Sequence, residues 1–227
     1  KTPTLIKAPG GQAIEKPRSV TTVKLKVAAI RSLFRWLKEG GILETDPAAS
    51  VRAPKHSVRI GKTPVLAGLE AALILDKITL ELEQCPEELV ALRDRALIAI
   101  MTFTVARISA AVGMAVRDVF RQGERHHVRL KEKGGKLHIM PLHHEAEDYV
   151  LAYIEAAGIR DRPLSPLFRA FDPKRQTISA RPLSRVKAWE MVQRRAKAAG
   201  ISTAVCNHTF RATGITTFLE NGGSIEK

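Results

Sequence analysis

The sequence predicts a mainly α-helical protein with one small antiparallel β-sheet, that is, an α+β fold. Long stretches of the chain place apolar residues three or four positions apart, the spacing of a helix that buries one face. Elsewhere, two short alternating stretches flank Gly134-Gly135, a pattern typical of a β-hairpin because glycine readily adopts the positive φ of a tight turn. The hydrophobic fraction, 44%, is ordinary for a globular protein and supplies enough apolar side chains for a core.

The first part of the chain predicts an extended arm followed by one helix. Residues 1–18 are interrupted by prolines and glycines and are predicted to be extended. Ser19 is a suitable N-cap for the helix that follows, and Gly40-Gly41 is a suitable end for it. Asp46-Pro47 then predicts a turn or a short helix. The basic residues 54–64 predict a linker, which either lies along a phosphate backbone or is simply solvated.

The remainder of the chain predicts a larger, mostly helical block. Residues 92–103 are apolar on nearly every side, so we expect that helix to be buried. The alternating stretches that flank the two glycines predict a hairpin over residues 128–142. Helices are predicted over residues 66–82, 87–115, 143–157, 183–199 and 207–221.

The charge of the chain indicates a polyanionic partner. Lysine and arginine total 37 against 23 aspartate and glutamate, which gives a net charge of +14. With a pI near 10.2, nucleic acid is the usual partner of such a protein. No apolar stretch approaches the roughly 20 residues that cross a bilayer, and residues 1–16 lack the apolar core of a signal peptide. Cys85 and Cys206 suggest neither a metal site nor a disulfide framework, so we expect a cytoplasmic protein.

Four short motifs occur in one order along the chain. They are Asp46-Pro47-Ala48 with Ala53-Pro54-Lys55, then Thr104-Val105-Ala106-Arg107-Ile108-Ser109, then Lys133-Gly134-Gly135-Lys136 with Met140-Pro141-Leu142, and finally His208-Thr209-Phe210-Arg211. They resemble the N-P-A…P-K, G-x-R-[IV]-S-E, K-G-x-K…V-P-L and H-x-x-R motifs of the tyrosine recombinases, the phage integrase family. Each motif alone is weak, but their order and spacing in a basic chain make the resemblance specific over about residues 19–227.

The resemblance implies two domains that together form a C-shaped clamp on duplex DNA. We expect residues 1–53 to form part of a helical core-binding domain, residues 54–64 a linker, and residues 65–227 the catalytic domain. Family members act as tetramers on paired recombination sites, so we expect a homo-tetramer on DNA. One departure is that Ala110 stands where the second motif has glutamate. Another is that the sequence reaches Lys227 before the family's nucleophilic tyrosine, so we expect that tyrosine beyond Lys227 and these residues alone to be inactive.

The resemblance also implies which residues carry the chemistry. Arg107 and Arg211 would hold the non-bridging oxygens of a DNA phosphate, since guanidinium groups bind phosphate bidentately and stay charged. Lys133 would protonate the leaving 5′-oxygen, with Lys136 as the alternative donor. His208 would share the tyrosine proton and contact the phosphate. Because the two arginines supply the positive charge, we expect neither a metal ion nor a cofactor.

Further basic residues are predicted to contact DNA, mostly through its phosphates. The predicted set lies in the first helix, the hairpin and the stretch around Pro182: Lys24, Lys26, Arg31, Arg35, Lys136, Arg181, Arg185 and Lys187. Arg181, like Arg185 and Lys187, is predicted to lie on the helix around and after Pro182.

Several other residues are predicted to have no catalytic role. Tyr149 and Tyr153 are four residues apart on an apolar helical face, which indicates packing rather than catalysis. The pairs His126-His127 and His143-His144 are predicted to be strand neighbours, whose side chains point to opposite faces and chelate poorly.

The sequence thus favours a site-specific recombinase or integrase that uses a 3′-phosphotyrosine intermediate. The alternative is a non-catalytic DNA-binding protein that has the same fold. A metal-dependent nuclease is disfavoured because no carboxylate cluster accompanies the basic motifs. The sequence leaves open whether the role is phage integration, movement of a mobile genetic element, or resolution of plasmids or chromosomes.

Overall fold

The computed structural model divides the chain into two compact units, residues 1–61 and 62–227. It describes residues 4–7, 13–16, 18–55, 64–66, 70–85, 87–206 and 208–224. Most of the linker predicted over residues 54–64 therefore lies outside the described residues, and the predicted domain boundaries stay a prediction. None of the described helices is both long enough and apolar enough to cross a membrane.

The first unit contains a short hairpin and one long helix. Strands β1 (Thr4–Lys7) and β2 (Ala13–Lys16) pair antiparallel, so the predicted arm is extended but its described residues are paired rather than single. Helix α1 (Val20–Glu39) begins where predicted, because the Ser19 hydroxyl accepts a hydrogen bond from the Thr22 backbone N–H at 3.2 Å. It ends at the predicted glycines, with Gly41 at φ 71°.

The second unit is mostly helical, as predicted. The three predicted helices after the hairpin are confirmed. The helix predicted over residues 66–82 is described over Glu70–Gln84, and its predicted start is wrong because Leu66 is not helical. The helices of this unit are α2 (Glu70–Gln84), α3 (Leu89–Thr104), α4 (Ile108–Val112), α5 (His144–Ala156), α6 (Arg185–Ala198) and α7 (Thr209–Glu220). Helix α3 is the centre of the core and packs against α2, α5 and α7.

The single helix predicted over residues 87–115 is wrong. The chain leaves helical geometry after Thr104, because Val105 adopts the left-handed conformation with φ 54° and ψ 25°. A second, shorter helix, α4, then starts at Ile108 with Arg107 as its N-cap. Periodicity could not predict this break, since Val105 and Ala106 continue the apolar pattern of α3.

The predicted hairpin is confirmed and belongs to a three-stranded antiparallel sheet. Its strands are β3 (Val119–Gln122), β4 (Arg125–Lys131) and β5 (Leu137–Pro141), in that order across the sheet. Val128 faces Met140 across the β4–β5 pair, and Gly134 and Gly135 have φ of 80° and 79° at the tip. These angles are the positive values that the sequence predicted for the two glycines.

A second hairpin was not predicted. Strands β6 (Arg169–Asp172) and β7 (Thr177–Pro182) pair antiparallel just before α6. They are short and alternate only weakly between buried and exposed positions, so the sequence carries little period-two signal here. Arg181 therefore lies on β7 and not on the helix after Pro182, which corrects the prediction for that residue.

A buried ionic cluster joins the helices of this unit around Asp94, whose side chain is 0% exposed. Asp94 Oδ1 accepts hydrogen bonds from Arg93 Nε at 3.1 Å and Nη2 at 2.5 Å. Asp94 Oδ2 accepts from Arg194 Nη2 at 3.0 Å and Arg195 Nε at 2.9 Å. Arg195 also pairs with Glu81 of α2 at 2.5 Å, so one carboxylate fixes α3 to α6 and, through Arg195, to α2.

Candidate catalytic site

The break between α3 and α4 determines the position of Arg107. As the N-cap of α4, Arg107 has extended backbone angles, and its side chain leaves the apolar helix instead of lying within it. Its Nη1 donates a hydrogen bond to Glu132 Oε2, and its backbone N–H donates to Glu132 Oε1 at 3.4 Å. The Arg107 side chain nevertheless stays 39% exposed, so part of the guanidinium remains open to solvent.

Arg211 lies in the first turn of α7 and points to the same break. Its Nη1 donates a hydrogen bond to the carbonyl oxygen of Val105 at 2.6 Å. This contact requires α7 to approach the end of α3 closely, and Gly214 permits it, because a Cβ at Gly214 would lie 2.9 Å from Val105 Cγ2. The left-handed Val105 thus supplies both the carbonyl that holds Arg211 and the bend that positions Arg107.

Electrostatics couples the two arginines through Glu132. Burial acts to raise the pKa of the Glu132 carboxyl, but hydrogen bonds from Arg107 and the positive charges of Arg107 and Arg211 outweigh it. The net effect is a pKa below the usual value for glutamate, so Glu132 is ionised at neutral pH. Glu132 therefore pairs directly with Arg107, whereas Arg211 forms no ion pair among the described residues, so its positive charge is left for an anionic ligand.

His208 and the hairpin lysines have different surroundings. His208 is exposed and immediately precedes α7, three residues before Arg211, so the two residues share one face of its first turn. Lys133 begins the turn at the tip of the β4–β5 hairpin, and its side chain lies outside the described part of the structure. Lys136 is exposed at the end of the same turn.

Both tyrosines are engaged by packing, as the sequence predicted. Tyr153 is fully buried and stacks on Phe168, with ring centroids 6.1 Å apart. Its burial raises the pKa of its hydroxyl, which makes it a poor nucleophile. Tyr149 is partly buried beneath the guanidinium of Arg95, which lies 4.2 Å from the ring centroid.

The histidine pairs are only partly as predicted. His126 and His127 do occupy neighbouring positions of β4: His126 contacts Glu147 at 2.6 Å, whereas His127 stacks with Phe120. The second pair is not on a strand, because His143 is the N-cap of α5 and His144 is its first residue, with ring centroids 4.1 Å apart. Among the described residues, no group of three or more His, Cys, Asp or Glu side chains could hold a metal ion.

The predicted DNA contacts of α1 divide between two faces of that helix. Lys24, Arg31 and Arg35 follow each other at intervals of seven and four residues and so share one face. Arg31 on this face also donates to the carbonyl oxygen of Ala49 at 3.5 Å. Lys26 lies on the opposite side, one helical turn from the exposed Ile30, so it does not belong to the same basic surface.

The predicted contacts near α6 lie at the helix start and on the preceding strand. Arg185 is the exposed first residue of α6, and Arg181 is exposed on β7. Lys187 is also exposed, but its Nζ already pairs with Glu190 at 2.7 Å. Of the three, Arg181 and Arg185 therefore offer the freer positive charges.

Sequence reasoning missed Glu132, Asp94 and the special geometry of Val105. The only sequence signal for Glu132 was a single acidic residue inside a basic hairpin. For Asp94 the signal was a charged triplet, Arg93-Asp94-Arg95, inside an otherwise apolar helix. For Val105 the signal was stronger, because the family motif G-x-R-[IV]-S-E has glycine at this position. Glycine is the residue that adopts a left-handed φ most readily.

Comparisons with known proteins show which fold the chain shares. Solved structures with a similar fold include the XerH site-specific recombinase bound to a palindromic difH substrate (TM-score 0.63, 18% identity, 90% of this chain and 55% of that one). Another is a lambda integrase dimer bound to a COC′ core site (TM-score 0.59, 19% identity, 89% of this chain and 53% of that one). The helices and small antiparallel sheets of the second unit are thus those of a tyrosine recombinase catalytic domain.

The sequence comparisons establish the family. Residues 72–227 match the model of the phage integrase family, and the chain belongs to that family. The tyrosine recombinase XerD of Mycobacterium leprae is 33% identical over 218 residues, covering 91% of this chain and 64% of that protein. XerD of Halalkalibacterium halodurans is 28% identical over 213 residues, covering 93% and 66% respectively. The chain thus spans just under two thirds of the length of these relatives.

Proposed function

We propose that this protein is a site-specific DNA recombinase or integrase that cleaves and rejoins duplex DNA through a 3′-phosphotyrosine intermediate. The observation that carries the proposal is the pair of guanidinium groups at the α3–α4 break. Arg107 and Arg211 are each anchored through Nη1, one to Glu132 and one to Val105. Among the described residues, neither guanidinium has a further side-chain hydrogen bond, so Nε and Nη2 of both are available to phosphate oxygens.

The proposed chemistry needs this charge in the transition state. A tyrosine oxygen attacks phosphorus, a bond from tyrosine to the 3′-phosphate forms, and the bond from phosphorus to the 5′-oxygen breaks. The two arginines stabilise the negative charge that develops on the non-bridging oxygens. Lys133, or Lys136 beside it, protonates the leaving 5′-oxygen, and His208 shares the proton of the attacking tyrosine. The same steps in reverse join a new strand, and the arginines supply the charge for which a metal is otherwise used.

We do not assign the nucleophile to either tyrosine of these 227 residues. Tyr149 and Tyr153 are the two tyrosines of the sequence, and both are held by packing. We therefore propose that a longer polypeptide or a neighbouring subunit supplies the attacking tyrosine.

We further propose that duplex DNA bearing a recombination site is the partner, that the working form is a homo-tetramer on paired sites, and that it acts at the nucleoid in the bacterial cytoplasm. The net charge of +14 supports the first of these proposals. A solved structure of similar fold, a lambda integrase tetramer bound to a Holliday junction, supports the second.

Covalent trapping tests the activity. The complete protein is first used to select binding sites from a random duplex library. It is then mixed with a nicked duplex that carries the selected site, and the products are separated on a denaturing gel. We expect a protein–DNA band that survives denaturation, and we expect Arg107→Ala or Arg211→Ala to slow its formation by about 10²- to 10³-fold.

Arg160→Ala is the matched control, because Arg160 is an exposed arginine that pairs with Glu155 and has no contact with Arg107, Glu132 or Arg211 among the described interactions. It should form the covalent band at the wild-type rate. Tight binding without a covalent band in any variant would instead identify a non-catalytic DNA-binding protein.

Salt titration tests the DNA partner separately from cleavage. The affinity for duplex DNA should fall with a log–log slope of about −0.9 per phosphate neutralised. An affinity that does not change between low and high salt contradicts DNA as the partner.

A further inference from the structure

We propose that Glu132 is a positioning residue that holds Arg107, and with it the two-arginine phosphate site, in the reactive geometry. This inference rests on the proposed function and adds a residue to it. Glu132 lies between Lys131, the end of β4, and Lys133, the proposed proton donor. The four family motifs recognised in the sequence assign it no role.

The Glu132 carboxylate holds Arg107 directly. The two oxygens of Glu132 engage Arg107 at two points: Oε2 accepts from the guanidinium, and Oε1 accepts from the backbone N–H at 3.4 Å. This arrangement fixes both the position of the N-cap and the direction of the side chain. The Glu132 side chain is only 10% exposed, so it is wedged against Arg107 rather than reaching out from the surface.

The backbone of Glu132 also belongs to the tip of the β4–β5 hairpin. The Glu132 backbone N–H donates to the carbonyl oxygen of Lys136 at 2.8 Å, and the Glu132 carbonyl accepts from the Gly135 N–H at 3.1 Å. The backbone of Glu132 therefore closes the turn that carries the two candidate lysines, while its side chain holds Arg107. One residue thus sets the position of the turn relative to the arginine.

The Glu132 carboxylate also offsets positive charge at this site. The charges of Arg107 and Arg211 both act on it, so an ionised Glu132 reduces the repulsion between these guanidinium groups when no DNA is bound. The lowered pKa of Glu132 is consistent with this position. The motif that contains Arg107 has glutamate three residues later in the family, whereas this chain has the buried Ala110. The acidic partner of Arg107 therefore comes from the hairpin rather than from α4.

A carboxylate beside a phosphate site could instead compete with phosphate, but two observations favour positioning. Glu132 binds the backbone of Arg107 as well as its guanidinium, and this contact does not block a ligand. The Arg107 side chain keeps 39% exposure, and its Nε and Nη2 have no hydrogen-bond partner among the described residues. A phosphate can therefore bind the open edge of Arg107 while Glu132 stays in place.

The test compares cleavage with binding in the complete protein. Glu132→Gln should lower the single-turnover rate of covalent complex formation at saturating DNA by about 10- to 100-fold, since small displacements of a catalytic group have effects of this size. The dissociation constant for DNA should change less than about threefold. Glu132→Asp should recover part of the rate, and Glu155→Gln, in an exposed ion pair, should have no effect. A Glu132→Gln variant that cleaves as fast as wild type overturns the proposal, because Glu132 then has no role in cleavage. A variant that cleaves faster also overturns it, because the carboxylate then competes with the DNA phosphate for Arg107.

A second measurement does not depend on cleavage. The measurement is an NMR spectrum of the 227-residue chain labelled with ¹⁵N-arginine. The guanidinium signals of Arg107 should have chemical shifts distinct from those of exposed arginines. In Glu132→Gln they should move to the chemical shifts of exposed arginines. The Arg160 signals serve as the internal reference. Unchanged Arg107 signals in a folded Glu132→Gln variant would contradict the positioning role. If the wild-type protein forms no covalent complex at all, the proposed function fails, and this comparison alone decides whether Glu132 holds Arg107.

Discussion

Replacement of Asp94 by asparagine should unfold the second unit at much lower temperature or denaturant concentration. Asp94 is 0% exposed and accepts four hydrogen bonds from three guanidinium groups. Asparagine keeps the shape of the side chain but removes its charge. Arg93, with a side chain only 4% exposed, would then be a buried cation without an acidic partner among the described residues. Arg195, only 9% exposed, would keep Glu81 as its single counter-charge.

The expected cost follows from this burial. Removing one partner of a buried ion pair typically costs about 3–5 kcal/mol. In a unit of this size each kcal/mol lowers Tm by roughly 2–4 °C, so the expected decrease is about 6–20 °C. Arg194→Ala provides a control within the same cluster: the Arg194 side chain is 57% exposed, so its removal should cost less than about 1 kcal/mol.

Urea unfolding measures this effect best in a Trp36→Phe background. The chain has two tryptophans, and Trp189 of α6 then reports on the second unit alone. Circular dichroism of the native baseline shows whether each variant is folded before urea is added. A cooperative transition for Asp94→Asn within about 1 kcal/mol of the reference would refute the view that this carboxylate stabilises the unit by neutralising buried arginines.

Three further predictions follow from single residues. In urea unfolding, Val105→Gly should be more stable than Val105→Ala by about 1 kcal/mol, because alanine keeps the strain of a φ of 54° and glycine does not. This order is the reverse of the one expected inside a helix. Glu147→Gln should destabilise the chain near neutral pH, because the His126 hydrogen bond lowers the pKa of Glu147 below its usual 4.5. Thermal unfolding measures this as a difference in Tm from wild type, which should vanish as the pH falls through the lowered pKa of Glu147. Ser19→Ala should remove the N-cap of α1 at a cost of about 1 kcal/mol, which hydrogen exchange should report as roughly fivefold faster opening of the first helical turn.

Local signals in the sequence were sufficient for much of the fold. The helices α5, α6 and α7 and the β4–β5 hairpin were predicted, since periodic burial and turn glycines are properties of neighbouring residues. The motifs around Arg107, Lys133 and His208 were sufficient for the family, which the match over residues 72–227 establishes. The roles of these residues stay predictions that the trapping experiment addresses.

Only the tertiary structure decided how the candidate site is assembled. The chain leaves helix α3 before Arg107 because Val105 adopts a left-handed conformation. Val105 faces Gly214, which is more than a hundred residues away in sequence. Glu132 contacts Arg107 across 25 residues, and Arg195 reaches Asp94 across 101. The sequence by itself determined which residue types are present and which local elements they form. Contacts between distant residues depend on how those elements pack, and a charged side chain in the sequence does not reveal its partner until that packing brings the two together.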